Sequence, residues 1–583
     1  MASVAVALAV AGCSPGGDGS TGGTAPGDGE RPYVELRLAM LASPGTRANP
    51  TGGESGDGAE GGQDYENAVS SAVAFFFRGS NGVNSPAGTP IEAVELFPQF
   101  VQSGGSQGAE PGVDYTYTTM PKQVGLSDGR YDVIVVANPG ADPWWEDASR
   151  RTLGAVRDYI CEKAWTVSGG VYSGFVMTSA ADASLTVASN PASSPATVTV
   201  GMERMAARID YKTAGTYTCT EAPYKGSTVE IKGAAIVNGL TAGSYLLKRV
   251  ADDADGTDAV VLGDETAGSD GKPANYVIDP WTAGKTGRDA SFEIAGKAGL
   301  PPSALYSTWF GNQYYDSGRA ATALDLPATW DALTLPGTDI GGWRRIGYTL
   351  ENTTPASAAG WNYSTGVVFK AVFRPYGLAN YADGSTFFSL GQGLYASVED
   401  IMSAVYGSEF DKFDGMIDAC QSWEDVKAFS EARLIDDDHT GYKAYVDSRI
   451  AQAQPFGEAV KESLKWGAYM LSEYGYSAVR GAGGNWVVTI NQGGIATRGR
   501  LRAFDVHTYE GAICYYTWWV RHGNDSNDDG KGPMEYAIVR NNVYKLEVTD
   551  ISALGGDVPG DETLMVNIYV RDWLLQPTAT VKM

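Results

Sequence analysis

Two stretches near opposite ends of the sequence alternate apolar and polar side chains with period two, and a chain carrying both must build them into sheets. In "YVELRLAML", Val34, Leu36, Leu38 and Met40 fall on one side, with Glu35, Arg37 and Ala39 between them. In "LLQPTATVKM", residues 574–583, Leu575, Pro577, Ala579, Val581 and Met583 alternate with Gln576, Thr578, Thr580 and Lys582. A terminus is loose unless something holds it, so a half-buried strand at the end of the sequence calls for a partner.

At 583 residues the chain exceeds the size at which one hydrophobic core stops growing, which predicts at least two domains. Hydrophobic residues make up 43% and charged residues only 19%, with 74 Gly and 32 Tyr, the balance of a folded, turn-rich β protein. A net charge of -26 leaves no basic field for phosphates and argues against a nucleic-acid partner.

The opening "MASVAVALAVAGC" is an apolar run ending at Val10-Ala11-Gly12-Cys13. It reads as a lipoprotein-type signal over residues 1–12, with Cys13 as the lipidated residue. No Lys or Arg precedes the run, so the true translation start is left open. Residues 14–30 are a Gly-rich tether of the kind that follows an anchor. The remaining cysteines, Cys161, Cys219, Cys420 and Cys514, show no metal-type spacing, and both two disulfides and buried free thiols fit them.

The Gly-rich polar stretch 42–64 has no periodicity and reads as an exposed, protease-accessible loop. Beyond it, "YDVIVVANPG" and "ATVTVGMERMAARID" read as strands, with a short helix over 152–164. A boundary at 212/213 separates a first domain, 48–212, from a second, 213–583. The second holds the strands "STVEIKGAAIVNG", "WRRIGYTLEN", "TGVVFKAVFRP", "NWVVTIN", "GAICYYTWWVRH", "VYKLEVTDI" and "LMVNIYVRDW". Residues 397–475 differ: Val398, Ile401, Met402, Val405 and Tyr406 recur at helical spacing behind Ser397, with Asp400 three residues on, and Ser422 with Asp425 repeats the start signal. The fold class predicted is all-β, with a helical insertion on one of two β-sandwiches.

Catalytic constellations are not found. His439, His507 and His522 are the chain's three histidines, and no HExxH, GxSxG or P-loop pattern occurs, so the protein is not read as an enzyme. Asp525, Asn527 and Asp529, with Gly530, match the first half of a calcium loop. The position for the bidentate Glu is Tyr536, and Glu535 lies one residue early, so an Asx- and Gly-rich turn is the preferred reading. A calcium bound there is structural, and no other cofactor is expected.

The two alternating strands carry the functional reading. If Val34 to Met40 fills a slot in the first domain, its four apolar side chains contribute about 6 to 12 kcal/mol, at about 1.5 to 3 each. A cut in the following loop makes that strand a separate peptide, and its departure leaves an apolar groove beside an unpaired sheet edge, a template for strand addition. The segment 574–583 of a neighbouring copy has the matching alternation. Periodicity alone equally allows both ends to be edge strands of their own domains.

The sequence resembles the Bacteroidales type V pilins, and most closely their Mfa-type fimbrial shaft subunits, through "GQDYENAVSSAVAFFF", "GYTLENTTPAS" with "STGVVFKAVFRP", and "YYTWWVRHGND" through "GPMEYAIVRNNVYKLEVTDISALGG" to "VNIYVRDW". The resemblance implies two transthyretin-like Greek-key β-sandwich domains and export as an outer-membrane lipoprotein. It implies cleavage by an Arg-specific surface protease in the loop after the first strand. The matching scissile residue is Arg47, in "GTRANP", so Ala48 begins the mature chain and 13–47 is a lipidated propeptide. Arg31 precedes the strand and Arg37 lies within it, so a cut at either does not free it whole. The resemblance further implies a linear polymer built by donor-strand exchange into an extracellular fimbrium, with anchor and tip subunits and a host or bacterial surface ligand as partners, supporting adhesion and biofilm formation. The alternatives are a fimbrial tip subunit and a monomeric lipoprotein adhesin that binds glycan or host protein.

Overall fold

In the computed structural model the alternating segment near the N-terminus is a strand, β1 (Tyr33–Ala39), with Val34, Leu36 and Leu38 turned into the protein and at most 1% exposed. The structure describes residues 31–39, 59–79, 85–103, 116–181, 183–263, 265–266, 274–282, 292–294, 333–335, 337–340, 342–353, 364–405, 407–435, 439–480, 486–490, 506–523, 534–557 and 565–574. The strands used below follow in chain order: β2 (Ala59–Gly61), β3 (Ala72–Phe77), β4 (Ile91–Phe97), β5 (Phe100–Ser103), β6 (Thr116–Thr119), β7 (Lys122–Gln123), β8 (Gly129–Ala137), β9 (Met177–Ser179), β10 (Ala183–Val187) and β11 (Ala196–Arg204). After these come β12 (Ala207–Thr213), β13 (Thr228–Leu240), β14 (Trp343–Thr349), β15 (Gly366–Arg374), β16 (Ile513–Trp519), β17 (Asn542–Asp550) and β18 (Met565–Leu574).

The first unit is a ten-stranded sheet in the order β4-β3-β8-β9-β11-β1-β6-β5, with β10 beside β8 and β7 beside β1. β11 serves two layers, pairing with β1 as far as Gly201 and with β9 from Met202 onward. The layers close on one core, where Val34, Leu36 and Leu38 meet Ala72, Ala74 and Phe76.

The second unit sets a six-stranded sheet, β2-β18-β17-β12-β14 ending at Thr338–Ile340, against a five-stranded one. The latter runs Thr216–Thr218, β13, β15, β16, with Phe292–Ile294 paired to β13. Its core brings Ile209 and Leu546 of the first sheet against Ile231, Phe369 and Tyr516 of the second. The protein is therefore all-β in its main body, two β-sandwiches as the sequence predicts.

Strand β3, "AVAFFF", is buried at every position, because its two faces enter different cores. Ala72, Ala74 and Phe76 fill the first sandwich, while Val73, Phe75 and Phe77 pack with Val237 of β13, Val368 of β15 and Tyr515 of β16. A strand covered on both sides reads as a continuous apolar run. The two sandwiches are thus joined by a shared apolar core.

The run "ATVTVGMERMAARID", read as strands, is β11 ending at Arg204 and β12 starting at Ala207 in the other sheet. Two expectations are corrected in detail. The helix expected over 152–164 is only α2 (Leu153–Arg157), because Ile160–Cys161 extends to pair with Ser244–Tyr245. The stretch 42–64 is not loop throughout, since β2 pairs in parallel with the end of β18 and helix α1 (Asp64–Asn67) follows. Gly62 there provides clearance: a Cβ on it would lie 2.1 Å from Asn67 Oδ1.

The helical insertion is α3 (Val398–Val405), α4 (Gly407–Ala419), α5 (Trp423–Arg433), α6 (Thr440–Ala451), α7 (Glu458–Leu464) and α8 (Trp466–Tyr474). Ser397 Oγ accepts from Asp400 N at 3.1 Å and Ser422 Oγ from Asp425 N at 3.3 Å, the caps the sequence signals. Its own core packs Phe413, Phe429, Tyr442 and Trp466 around Val446 and Leu464. Among the described residues no helix is long and apolar enough to cross a membrane.

Candidate functional site: the slot of the first strand

Strand β1 lies in the interior of its sheet. On one flank it runs parallel to β11, in register from Val34 opposite Ala196 to Ala39 opposite Gly201. On the other it runs antiparallel to β7, with Val34 opposite Lys122, and then to β6, with Leu38 opposite Tyr117. Between those two pairs the ladder is interrupted, and Leu36 N–H donates to Thr119 Oγ1 at 2.9 Å. The outward residues are ordinary surface: Arg37 pairs with Glu35 at 2.9 Å. Burying Val34, Leu36 and Leu38 contributes about 1.5 to 3 kcal/mol each.

Around helix α1 lies a buried polar cluster. Gln63 and Glu66 form a capping box on α1. Glu66 Oε2 meets Arg208 Nη1 of β12 at 2.9 Å, and Glu66 Oε1 accepts from Tyr348 OH of β14. Arg208 is also held by Asp210, with Nη2 to Oδ2 at 3.0 Å. Arg204 donates to the Glu66 carbonyl at 3.1 Å and to Asn67 Oδ1. Burial pulls the Arg204 guanidinium down to about 10. Burial works the same way on Arg208, but Asp210 and Glu66 beside it outweigh that and hold it charged. Arg345 stacks over the rings of Tyr65, Tyr172 and Tyr348. This cluster fastens residues 62–67 between the sandwiches, and sequence reasoning missed it. The available signal was two carboxylates, Asp64 and Glu66, beside an otherwise apolar "AVSSAVAFFF".

Of the site residues named from sequence, Val34, Leu36 and Leu38 are brought together on the inner face of β1. Met40, Cys13, Arg47, Ala48, the calcium candidates Asp525, Asn527 and Asp529, and Leu575, Pro577, Ala579, Val581 and Met583 lie outside the described residues. Strand β18 ends at Leu574, the residue before that last alternating segment. Cys161, Cys219, Cys420 and Cys514 are all buried, and none of them is in a disulfide. Among the described residues no group of three or more His, Cys, Asp or Glu is placed to hold a metal ion. His507 Nδ1 lies 3.1 Å from Asp557 Oδ1. His522 bridges Tyr544 OH and Glu265 Oε2 at 2.9 and 3.1 Å. His439 packs edge-on to Phe413 and Trp466.

The described residues thus hold two packed β-sandwiches, with the first strand buried inside one of them. Residues 507–578, spanning β16, β17 and β18, match the family described as major fimbrial subunit protein type IV, fimbrillin, C-terminal. Comparison with curated proteins gives no match. Among solved structures the chain is similar to a protein from Parabacteroides distasonis assigned to cell adhesion, at 12% identity and TM-score 0.40, over 93% of this chain and 100% of that one. It is similar to a fimbrilin from Porphyromonas gingivalis at 11% identity and TM-score 0.31, over 94% and 99% of the two chains. A tip fimbrial protein of the same organism aligns at 9% identity and TM-score 0.30, over 93% and 100%.

Proposed function

We propose that the protein is a structural pilin subunit of a surface fimbrium. In this reading it is exported as an outer-membrane lipoprotein through Cys13. It becomes competent to polymerise when an Arg-specific surface protease cuts between Arg47 and Ala48. β1 then leaves, and the segment 574–583 of a second copy takes its place by donor-strand exchange, setting Leu575, Pro577, Ala579, Val581 and Met583 against the first sandwich.

The observation that carries the reading is the position of β1. An edge strand that departs leaves one open edge, whereas β1 has β11 on one side and β6 with β7 on the other. Its loss therefore opens a slot with hydrogen-bonding groups on both walls and an apolar floor. The peptide that leaves is joined to the rest through residues 40–58, which contain Arg47. Residues 62–67, on the retained side, are held by Arg204 and Arg208 independently of β1. The fimbrillin match over 507–578 supports the fimbrial assignment. The transthyretin-like connectivity, the anchor and tip partners, the surface ligand, and the adhesive and biofilm roles belong to the same proposal.

The test compares the precursor with Arg47→Ala, each treated with an Arg-specific protease. Heat-resistant ladders on a denaturing gel are expected from the first alone, and ladders of equal extent from the variant overturn the cleavage step.

A further inference from the structure

Each residue of a strand spends its N–H and C=O on the same neighbour, so an interior strand divides its residues between two flanks. In β1 the inward residues serve the β6/β7 flank: Pro32 O accepts from Val124 N at 3.0 Å and Leu36 N–H goes to Thr119 Oγ1. The outward residues serve β11, beginning with Tyr33 N to Asn190 O at 2.8 Å. The two flanks differ. Along β11 the register runs unbroken from Val34 to Ala39. Along the other, Val34 stands opposite Lys122 and Leu38 opposite Tyr117, and between them the offset shifts by one residue. Leu36 is thus the inward position of β1 whose N–H goes to a side-chain hydroxyl instead of the main-chain ladder.

Proline has no N–H to give and is tolerated in a sheet only where none is required. The segment 574–583 carries Pro577 on its apolar face. At the place of Val34 or Leu38 it would delete a ladder bond to Lys122 or Tyr117; at the place of Leu36 it deletes no main-chain ladder bond, only the one to the Thr119 hydroxyl, which can turn to another partner. Reversing the segment while keeping its apolar face inward turns the inward N–H groups toward β11. The ladder there has no gap, so the proline would remove a bond at every position.

We propose that in the assembled polymer Pro577 takes the place of Leu36, in the same chain direction as β1, with Leu575 at Val34 and Ala579 at Leu38. Thr119 and the interruption between β6 and β7 then set the register of the incoming strand. This rests on the reading that the C-terminal segment of a second copy fills the slot.

The register puts Thr578 where Arg37 stands, opposite Thr118. That antiparallel pair exchanges no main-chain hydrogen bonds, the arrangement that brings opposed side chains closest. The experiment places Thr118→Cys in the full precursor together with Gln576→Cys, Thr578→Cys or Thr580→Cys, cleaves each with the Arg-specific protease, and oxidises the fibres. The expected result is reduction-sensitive covalent multimers from the Thr578→Cys pair, about tenfold above the other two. Predominant cross-linking through 576 or 580 overturns the register while leaving donor-strand exchange intact. Fibres that form without any of the three cross-links overturn the chain direction. Fibres from a chain lacking 575–583 overturn the underlying reading itself. A second measurement is free of cysteines: Pro577→Ala is expected to assemble no more slowly than the parent. Pro577→Ala with Ala579→Pro, which moves the proline opposite Tyr117, is expected to slow assembly by about tenfold or more. Equal rates for these two variants overturn the proposal.

Discussion

Arg208 Nη1 lies 2.9 Å from Glu66 Oε2 with both side chains withdrawn from solvent, and the pair fastens α1 to β12 of the second sandwich. Removing one member of a buried ion pair strands the other. Glu66→Ala is therefore expected to destabilise the protein by about 3 to 5 kcal/mol, read from denaturant unfolding. Glu66→Gln, which keeps an oxygen for Tyr348, is expected to cost less. A loss below about 1 kcal/mol for the alanine variant would mean that Asp210 alone satisfies Arg208.

Leu36 is fully buried between the layers of the first sandwich, so Leu36→Ala is expected to lower the stability of the uncleaved precursor by about 2 to 5 kcal/mol. Arg37→Ala, on the solvent side of the same strand, is expected to stay within about 0.5 kcal/mol. Measuring both in the precursor separates burial in the slot from general effects on the strand. Equal losses would contradict the inward and outward assignment.

Deleting 575–583 is expected to leave a chain that is cut normally at Arg47 but stays monomeric by gel filtration. A truncated chain that still forms fibres would return the C-terminal segment to the role of a local edge strand.

Burial raises the Asp414 carboxyl in the helical insertion to about 6, although it accepts from Trp466 N at 2.8 Å. An unfolded Asp titrates near about 3.9, so between about pH 4 and 6 the folded form binds more protons than the unfolded one. The stabilisation from the neutral carboxyl is present at the acid end of that window and is lost as pH rises through about 6. Asp414→Asn retains an oxygen for Trp466 N and cannot ionise. The fall in melting temperature of the wild type from pH 4 to 6 is expected to exceed that of the variant. Parallel curves would show that solvent screens Asp414 at this half-buried site.

Local signals in the sequence were sufficient wherever the answer depends on neighbours along the chain. Period-two alternation placed Val34, Leu36 and Leu38 on one face of β1, and Ser397 and Ser422 announced the helices they cap. The same logic failed over 152–164, where the helix stops at Arg157 because Ile160–Cys161 finds a strand partner about eighty residues away, at Ser244–Tyr245. It failed again at Gly62, where glycine-rich composition suggested loop and the actual requirement is clearance beside Asn67 and Arg204.

What the sequence determined by itself is the inventory: strands by their alternation, a helical insertion by its caps and spacing, an apolar first strand followed by an Arg-containing stretch, and a proline on the apolar face of the last segment. Tertiary structure alone decided that β1 is an interior strand, that the continuous apolar run of β3 divides between two cores, and that Glu66 meets Arg208 from 142 residues away. Periodicity reports which face of an element is buried, a property of adjacent residues. Which elements lie on either side of it is set by long-range strand pairing, which leaves no local trace in the residues it joins.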